Sequence, residues 1–470
     1  MSVQGDARRM TIASPSPVTD LRNLMRGSVL APGDPDYDAA RSVWNGAIDR
    51  RPAVIARCAG AADVIAALDV ADRHGLPVTV RSGGHGVAGR AVRDGALLID
   101  LSQLDEVRVD PARRRARVGP GATWAKVDAE TQAFGLATTG GVHSGTGVGG
   151  LALGGGIGYL ARAHGLTVDN IVSANVVLAD GRLVTASDDE HPDLLWAVRG
   201  GGANVGVITE LELALHEVGP EVITAQAYVG LDRAADALRA YREIMAAAPD
   251  ELAVYALVIR VPPIDDFPIE RHGTTALALV ACHCGDLAEG ERIVAPVAEL
   301  PEAFLAFAAP LPYASLQSAF DAGSPVGARY YWKSHFLGEL SDTLIDAVVA
   351  GAGEMQGELS MLFFEPLGGA INRVDQSATA FPHRSATFTL GVSAGWLDAA
   401  DDAACTAWAR DLHAATARHA IGGVYSNYVD RDDDDLVGAS YGANVERLQA
   451  IKGRYDPNNR FDSNVNVLPV

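Results

Sequence analysis

Two places along the chain set a reactive side chain where the backbone leaves it reachable. In Arg81-Ser82-Gly83-Gly84-His85-Gly86 an imidazole sits among glycines at the end of a strand-like run. Such a histidine is exposed and sterically reachable, which suits a functional role, or else it is an ordinary surface-loop residue. In Val424-Tyr425-Ser426-Asn427-Tyr428-Val429-Asp430 two phenols and an amide come close together, in an alternation that reads as a strand. These tyrosines are either cross-strand core residues or phenols placed to take a proton. A free phenol titrates near pH 10, so only about 0.1% is ionised at neutrality. A tyrosine base therefore needs a depressed pKa or a concerted transfer, each with a nearby partner.

A third segment carries no reactive group but an unusual backbone. About half of residues 140–158 are glycine, and the remainder are apolar or small, with Val142, Val148, Leu151, Leu153 and Ile157 suited to burial. Glycine in such a setting permits unusual dihedrals or close approach of backbone to a ligand. Within it, Gly145-Thr146-Gly147-Val148-Gly149-Gly150 fits G-x-G-x-x-G, with Asp169 about twenty residues on. The context of a dinucleotide fingerprint is absent: residues 138–144 are turn-like, and residues 151–158 carry four more glycines and make a poor helix. The reading is a cradle of backbone N–H groups for phosphate, or else a glycine-rich turn without ligand. Cys282-His283-Cys284 is not read as a metal site, because alternation along an apolar strand separates the histidine from the thiols.

Ordinary elements must position these groups. Residues 53–56, Val78–Arg81, 97–101 and Arg115–Val118 read as strands. Residues 61–74 read as a helix stopped by Gly75 and Pro77, and 124–134 as another. Strands at 172–178 and 183–185 turn around Asp180-Gly181, and 206–211 is a further strand. Beyond about residue 217 the glycine clusters vanish. Strand-like 253–260 and 276–282 alternate with helix-like 231–248 and 341–350, an antiparallel sheet with helices on one face. Residues 444–452 form a helix, followed by a polar, extended end. The domains expected are a flexible tail (1–30), a glycine-rich α/β region (31–216), a second domain (217–435) and a closing segment (436–470). Asp432–Asp435 is read as a solvated loop.

The composition narrows the function. The 470 residues carry 38 Lys and Arg against 59 Asp and Glu, a net charge of −21, which disfavours a nucleic-acid partner. With 48% hydrophobic and 21% charged residues the chain forms cores. No apolar run is long enough to span a membrane. Arg8-Arg9 lacks the apolar stretch of a signal, and four scattered cysteines fit a reducing cytoplasm.

Taken in order, Val80-Arg81-Ser-Gly-Gly-His85, Gly140-Gly141, the glycine run 147–158, Gly165-Leu-Thr-Val-Asp169-Asn170, Leu195-Trp-Ala-Val-Arg-Gly-Gly-Gly202 and Gly206-Val-Ile-Thr209 resemble the FAD domain of the vanillyl-alcohol-oxidase, or PCMH-type, superfamily. Tyr441-Gly-Ala-Asn444, Tyr455-Asp-Pro-Asn458 and Asn464-Val-Asn466 resemble the tail of its berberine-bridge-enzyme-like branch. The resemblance covers the chain after its first ~30 residues. It implies an α+β fold: a PCMH-type FAD domain of two α/β subdomains, plus a substrate domain whose antiparallel sheet is covered by helices.

On these residues the resemblance implies FAD linked covalently through His85 alone, because His143 stands where many relatives carry a second, cysteinyl attachment. The amides of Ser82 to Gly86 would meet the pyrophosphate, and Val207 and Ile208 the adenine. Arg81, Gly140, Gly141, His143, Gly145, Thr146, Gly149, Gly150, Gly154, Gly158, Asn464 and Asn466 complete the implied cofactor set. Tyr428 is the implied base, with Tyr425 its neighbour. Phe381-Pro-His-Arg384 precedes a strand that in relatives supplies a Glu, Gln or Tyr. Here residues 386–393 offer only Thr387, Thr389 and Ser393, so the second helper differs or is absent. The implied activity is that of an oxidase taking hydride from an alcohol-type carbon of a sugar or secondary metabolite, with dioxygen as acceptor and hydrogen peroxide as product. A dehydrogenase or reductase using another acceptor, and a non-catalytic flavin-containing binding protein, are the alternatives.

Overall fold

The computed structural model describes residues 16–432 and 436–470. The expected loose segment 1–15 and Asp433–Asp435 lie outside the described residues. The N-terminal tail nevertheless ends earlier than its composition suggests. Ser16 caps a helix, Pro17–Leu24, by accepting from the Thr19 N–H, and Pro17 occupies its first turn. Asp20 pairs with Arg73 (2.6 Å) and His74 (2.9 Å), joining this helix to Ala61–His74. Ser-Pro-Asp here is a helix start, not a loose linker.

The first sheet holds β1 (Val29–Leu30), β2 (Val54–Arg57), β3 (Val78–Arg81) and β4 (Leu97–Asp100) in the order β1-β2-β4-β3. β2, β4 and β3 are parallel, with helix Ala61–His74 as the crossover. The second sheet is antiparallel: β5 (Val107–Asp110), β6 (Arg115–Val118), β8 (Ile171–Val177), β9 (Leu183–Ala186) and β10 (Val207–Ala214), ordered β5-β6-β10-β8-β9. Short β7 (Leu136–Ala137) and β11 (His216–Glu217) pair beside it. One core forms between this sheet, helices Trp124–Gln132 and Pro192–Val198, and the C-terminal helix Val445–Tyr455.

The second domain is one seven-stranded antiparallel sheet. Its strands are β12 (Glu221–Gly230), β13 (Leu252–Arg260), β14 (Thr275–His283), β15 (Leu305–Pro312), β16 (Arg329–Leu337), β17 (Met361–Pro366) and β18 (Phe388–Trp396), ordered β15-β12-β14-β13-β17-β18-β16. Helices Ala234–Ala247, Leu287–Ala298, Asp342–Gly353 and Asp402–Thr416 share a core with one face, as expected for a sheet covered on one side. Strand alternation assigns the other face. Leu362 and Phe364 of β17 join the helix-side core, so Phe363 and Glu365 turn the opposite way. That face meets the glycine-rich first domain, where Ala253, Tyr255 and Val280 pack with Ala137, Tyr159 and Leu160.

Two local expectations fail. Residues 424–430 are not a strand: Ser426–Tyr428 is a 3₁₀ turn, and its three-residue repeat places Tyr425 and Tyr428 on one side. The glycine-rich stretch does make a helix, Val148–Gly154, although three of its seven residues are glycine. Packing of Val148, Ala152 and Leu153 into the core offsets the poor propensity.

Candidate active site

The cofactor end of the site is an open cavity of about 330 Å³, and five of the segments that line it carry expected residues. β3 delivers the first, Ser82 to Gly86. Its glycines are needed: a Cβ on Gly83 would stand 2.6 Å from the Gly147 Cα, and Gly84 has φ +68°. Thus two glycine loops pack backbone against backbone, and Ser82 Oγ donates to the Pro120 carbonyl to hold them. The second loop contributes Gly141, His143, Thr146, Gly149, Gly150 and Gly154 to the lining. β10 contributes Val207 and Ile208, the tail contributes Asn464, and the 3₁₀ turn contributes Tyr425 and Tyr428.

Five of the expected residues lie behind this wall. Arg81 turns away into an ion pair with Asp100 (2.6 Å) and a bond to the Ser42 carbonyl (3.0 Å), bracing the strand that carries the loop. Gly140 lets the chain pass the Trp124 ring, Gly145 abuts the His143 ring, and Gly158 abuts the Gly140 carbonyl. Asn466 accepts from the buried Lys452. Asp169, the apparent ribose ligand of the G-x-G-x-x-G reading, is instead held by both terminal nitrogens of Arg384 (2.7 and 2.8 Å). Cys282 and Cys284 join one core cluster, and no group of metal-ligating side chains exists among the described residues.

The lining suits FAD on two observations. A Cβ on Gly86 or Gly150 would meet nothing within 4 Å, so at these wall positions backbone alone faces open space. Converging N–H groups can meet a diphosphate only where no Cβ intervenes. His85 Nε2 is buried with no hydrogen-bond partner. Burial, reinforced by His143 at 4.9 Å between ring centroids, holds the His85 imidazole down to about 3, so it is neutral and keeps a lone pair.

At the other end, Tyr428 Oη donates to Glu365 Oε1 (2.8 Å), and Thr389 Oγ1 donates to Glu365 Oε2 (2.6 Å). Burial pushes Glu365 up to about 7, against these two donors. Burial and then the Glu365 charge push the Tyr428 phenol well above its ordinary value. Tyr428 is therefore not a pre-formed phenolate. It is a phenol bonded to a carboxyl group whose pKa burial has raised toward neutrality. Trp332 and Phe363 stand edge-on to the Tyr428 ring (5.2 and 5.6 Å) and give it apolar flanks.

Tyr425 does something different. Its Oη accepts from the Gly156 N–H (2.8 Å) and from Asn427 Nδ2 (3.0 Å), while Asn427 Nδ2 also reaches the Leu151 carbonyl (3.1 Å). It fastens the turn to the glycine helix. Glu365 is the residue that sequence reasoning missed. The second helper was sought on β18, where Thr389 does lie, but the carboxylate comes from the adjoining β17, with Glu365 opposite Thr389. The signal was available: a lone Glu within Met-Leu-Phe-Phe-Glu-Pro, where a strand buried on both faces leaves an acid no solvent.

Comparison with known proteins shows the family. Residues 52–187 match the model of the FAD binding domain family, and residues 424–467 match the berberine and berberine-like model. (R)-6-hydroxynicotine oxidase of Paenarthrobacter nicotinovorans is 31% identical over 463 residues, covering 95% of this chain and 97% of the relative. Chitooligosaccharide oxidase of Gibberella zeae is 28% identical, covering 93% and 92%. The crystal structure of 6-hydroxy-D-nicotine oxidase from Arthrobacter nicotinovorans superposes with a TM-score of 0.83 at 30% identity, over 94% of this chain and 98% of that one. With its two glycine loops, its returning tail and relatives matched along their whole length, the chain belongs to the PCMH-type, berberine-bridge-enzyme-like family of FAD-dependent oxidoreductases.

Proposed function

We propose that the protein is an oxidase that removes hydride from an alcohol-type carbon of a sugar or secondary metabolite and passes the electrons to dioxygen. The observation that carries this reading is the Tyr428–Glu365 hydrogen bond beside the cofactor cavity. FAD, when bound, supplies the two-electron chemistry, accepting hydride and returning the electrons to dioxygen as hydrogen peroxide. The protein moves the proton. Tyr428 Oη takes the substrate hydroxyl proton as it hands its own to Glu365 Oε1, so no free phenolate forms. Thr389 holds the carboxylate in line. Two relatives with oxidase names support an oxidase over a dehydrogenase.

His85 is the proposed single covalent attachment point, with His143 beside it unable to supply a thiolate. His85→Ala is expected to keep some FAD non-covalently and to turn over more slowly. The check is acid precipitation: the yellow colour should stay in the wild-type pellet and move to the supernatant for the variant. Covalent flavin persisting in His85→Ala would remove the assignment. The reaction itself is tested by screening alcohols for peroxide and by stopped-flow reoxidation in air; slow reoxidation would favour another acceptor. All four cysteines are free thiols, in keeping with a proposed cytoplasmic location.

A further inference from the structure

The His85 imidazole belongs to a stack of rings that crosses between the domains. Trp44 lies against His85, with centroids 4.4 Å apart and planes 15° from parallel. The same indole stacks on Tyr330 of β16 at 3.8 Å and 11°. His85 comes from the flavin domain, Tyr330 from the substrate domain, and Trp44 from the segment that precedes β2.

That segment is fastened on both sides. The Trp44 N–H donates to the Gly84 carbonyl (3.0 Å), next to His85, and the Gly327 N–H donates to the Trp44 carbonyl (2.9 Å). Trp44 Nε1 donates to the Ser324 carbonyl (3.0 Å). Asn45 is fully buried. Its Nδ2 donates to the carbonyls of Val87 (2.7 Å) and Tyr330 (2.9 Å), and its Oδ1 accepts from the Tyr330 N–H (3.0 Å). At Gly46 a Cβ would run into the Gly327 carbonyl, so only glycine lets the two chains approach. Residues 44–46 thus join the loop of His85 to the start of β16. Asn45 thus commits both ends of its buried amide across the domain boundary.

We propose that Trp44 and Asn45 are positioning residues for the covalent attachment of FAD, holding His85 in its attacking orientation once the substrate domain has docked. The inference rests on the covalent reading of His85 given above. The bond formed would join a ring nitrogen of His85 to the carbon of the flavin 8α-methyl group. It releases the imidazole N–H proton and one methyl proton and leaves two electrons on the ring system, which dioxygen takes up as hydrogen peroxide. The step requires a neutral imidazole in line with one carbon, and a misplacement of about 1 Å costs on the order of 10²-fold in such a reaction. A ring among glycines has no restraint of its own; the stack supplies it.

The test compares wild type, Trp44→Leu, Trp44→Phe and Tyr330→Leu, each incubated with excess FAD. Total bound flavin, the acid-precipitable fraction over time, and Tm are recorded. Trp44→Leu should bind FAD but attach it at least ~10-fold more slowly. Trp44→Phe, which keeps a stacking face, should recover most of that rate. Tyr330→Leu, which alters neither Trp44 nor His85, should slow attachment in the same direction, and it decides the matter if Trp44→Leu does not fold. Attachment at the wild-type rate in the leucine variants overturns the proposal, as does a loss in Trp44→Leu that Trp44→Phe does not recover at equal FAD occupancy and Tm. Wild-type protein whose flavin is wholly acid-soluble overturns instead the covalent reading beneath it.

Discussion

Tyr428→Phe is expected to lower kcat by about 10²–10⁴-fold, the range for removal of a general base, with FAD content unchanged. Glu365→Gln should fall in the same range, because the amide still accepts from Tyr428 but cannot take its proton. The two losses should not add, since both residues serve one transfer. The pH profile separates this pair from a lone tyrosine. With Glu365 pushed up to about 7 by burial, kcat/KM should rise through that pH and then level, and the acid limb should vanish in Glu365→Gln. Stability should move the other way. Because the folded state holds its proton more tightly than the unfolded chain, stability falls as pH rises from the ordinary carboxylate range to about 7. Unfolding of Glu365→Gln should lack that component. A wild-type profile flat between pH 5 and 8, with a fully active Glu365→Gln, would reject the pair.

Lys452→Met is expected to be strongly destabilising although it lies outside the active site. Lys452 and Asp456 are both fully buried and pair at 3.2 Å. The ammonium also donates to the Phe461 carbonyl (2.8 Å) and to the Asn204 and Asn466 side-chain oxygens (3.4 and 3.3 Å). Asn204 in turn donates to the Asn464 side chain and the Val465 carbonyl. Removing the cation leaves the Asp456 carboxylate buried without its charge partner, a cost of roughly 3–5 kcal/mol. Denaturant melts should show the loss, together with weaker FAD retention, because this cluster pins the segment that lines the cavity. Lys452→Met combined with Asp456→Leu should regain part of it. A double variant no more stable than Lys452→Met would mean that the carbonyl contacts, not the charge, matter most.

What the sequence made legible is what local rules govern. The glycine loops announced themselves because a cradle without Cβ atoms needs those residues in succession, and His85 was visible because it stands inside one. Sheet and helix elements followed from periodicity and stop signals. The misses share a cause. Glu365 meets Tyr428 across 63 positions, a relation set by which strands adjoin and not by either local sequence. The turn at residues 426–428 alternates like a strand, but its fastening to Gly156 and Leu151 overrides that pattern. Arg81 carried a motif's charge, yet a buried Asp100 one strand away claims it. Ser16-Pro17 did contain a helix start, which overall composition obscured.

The path of the chain through the cofactor cavity also bears on its biosynthesis. Arg90 and Asn464 meet at the cavity although 374 residues separate them. Translation proceeds at about 5–20 residues per second, so roughly 20–75 s elapse between the emergence of the first glycine loop and that of the closing strap. Throughout that interval a nascent chain presents a half-built cradle. Flavin retention then awaits the closing strap, and products of early termination would carry the glycine loops yet be unable to retain the pigment.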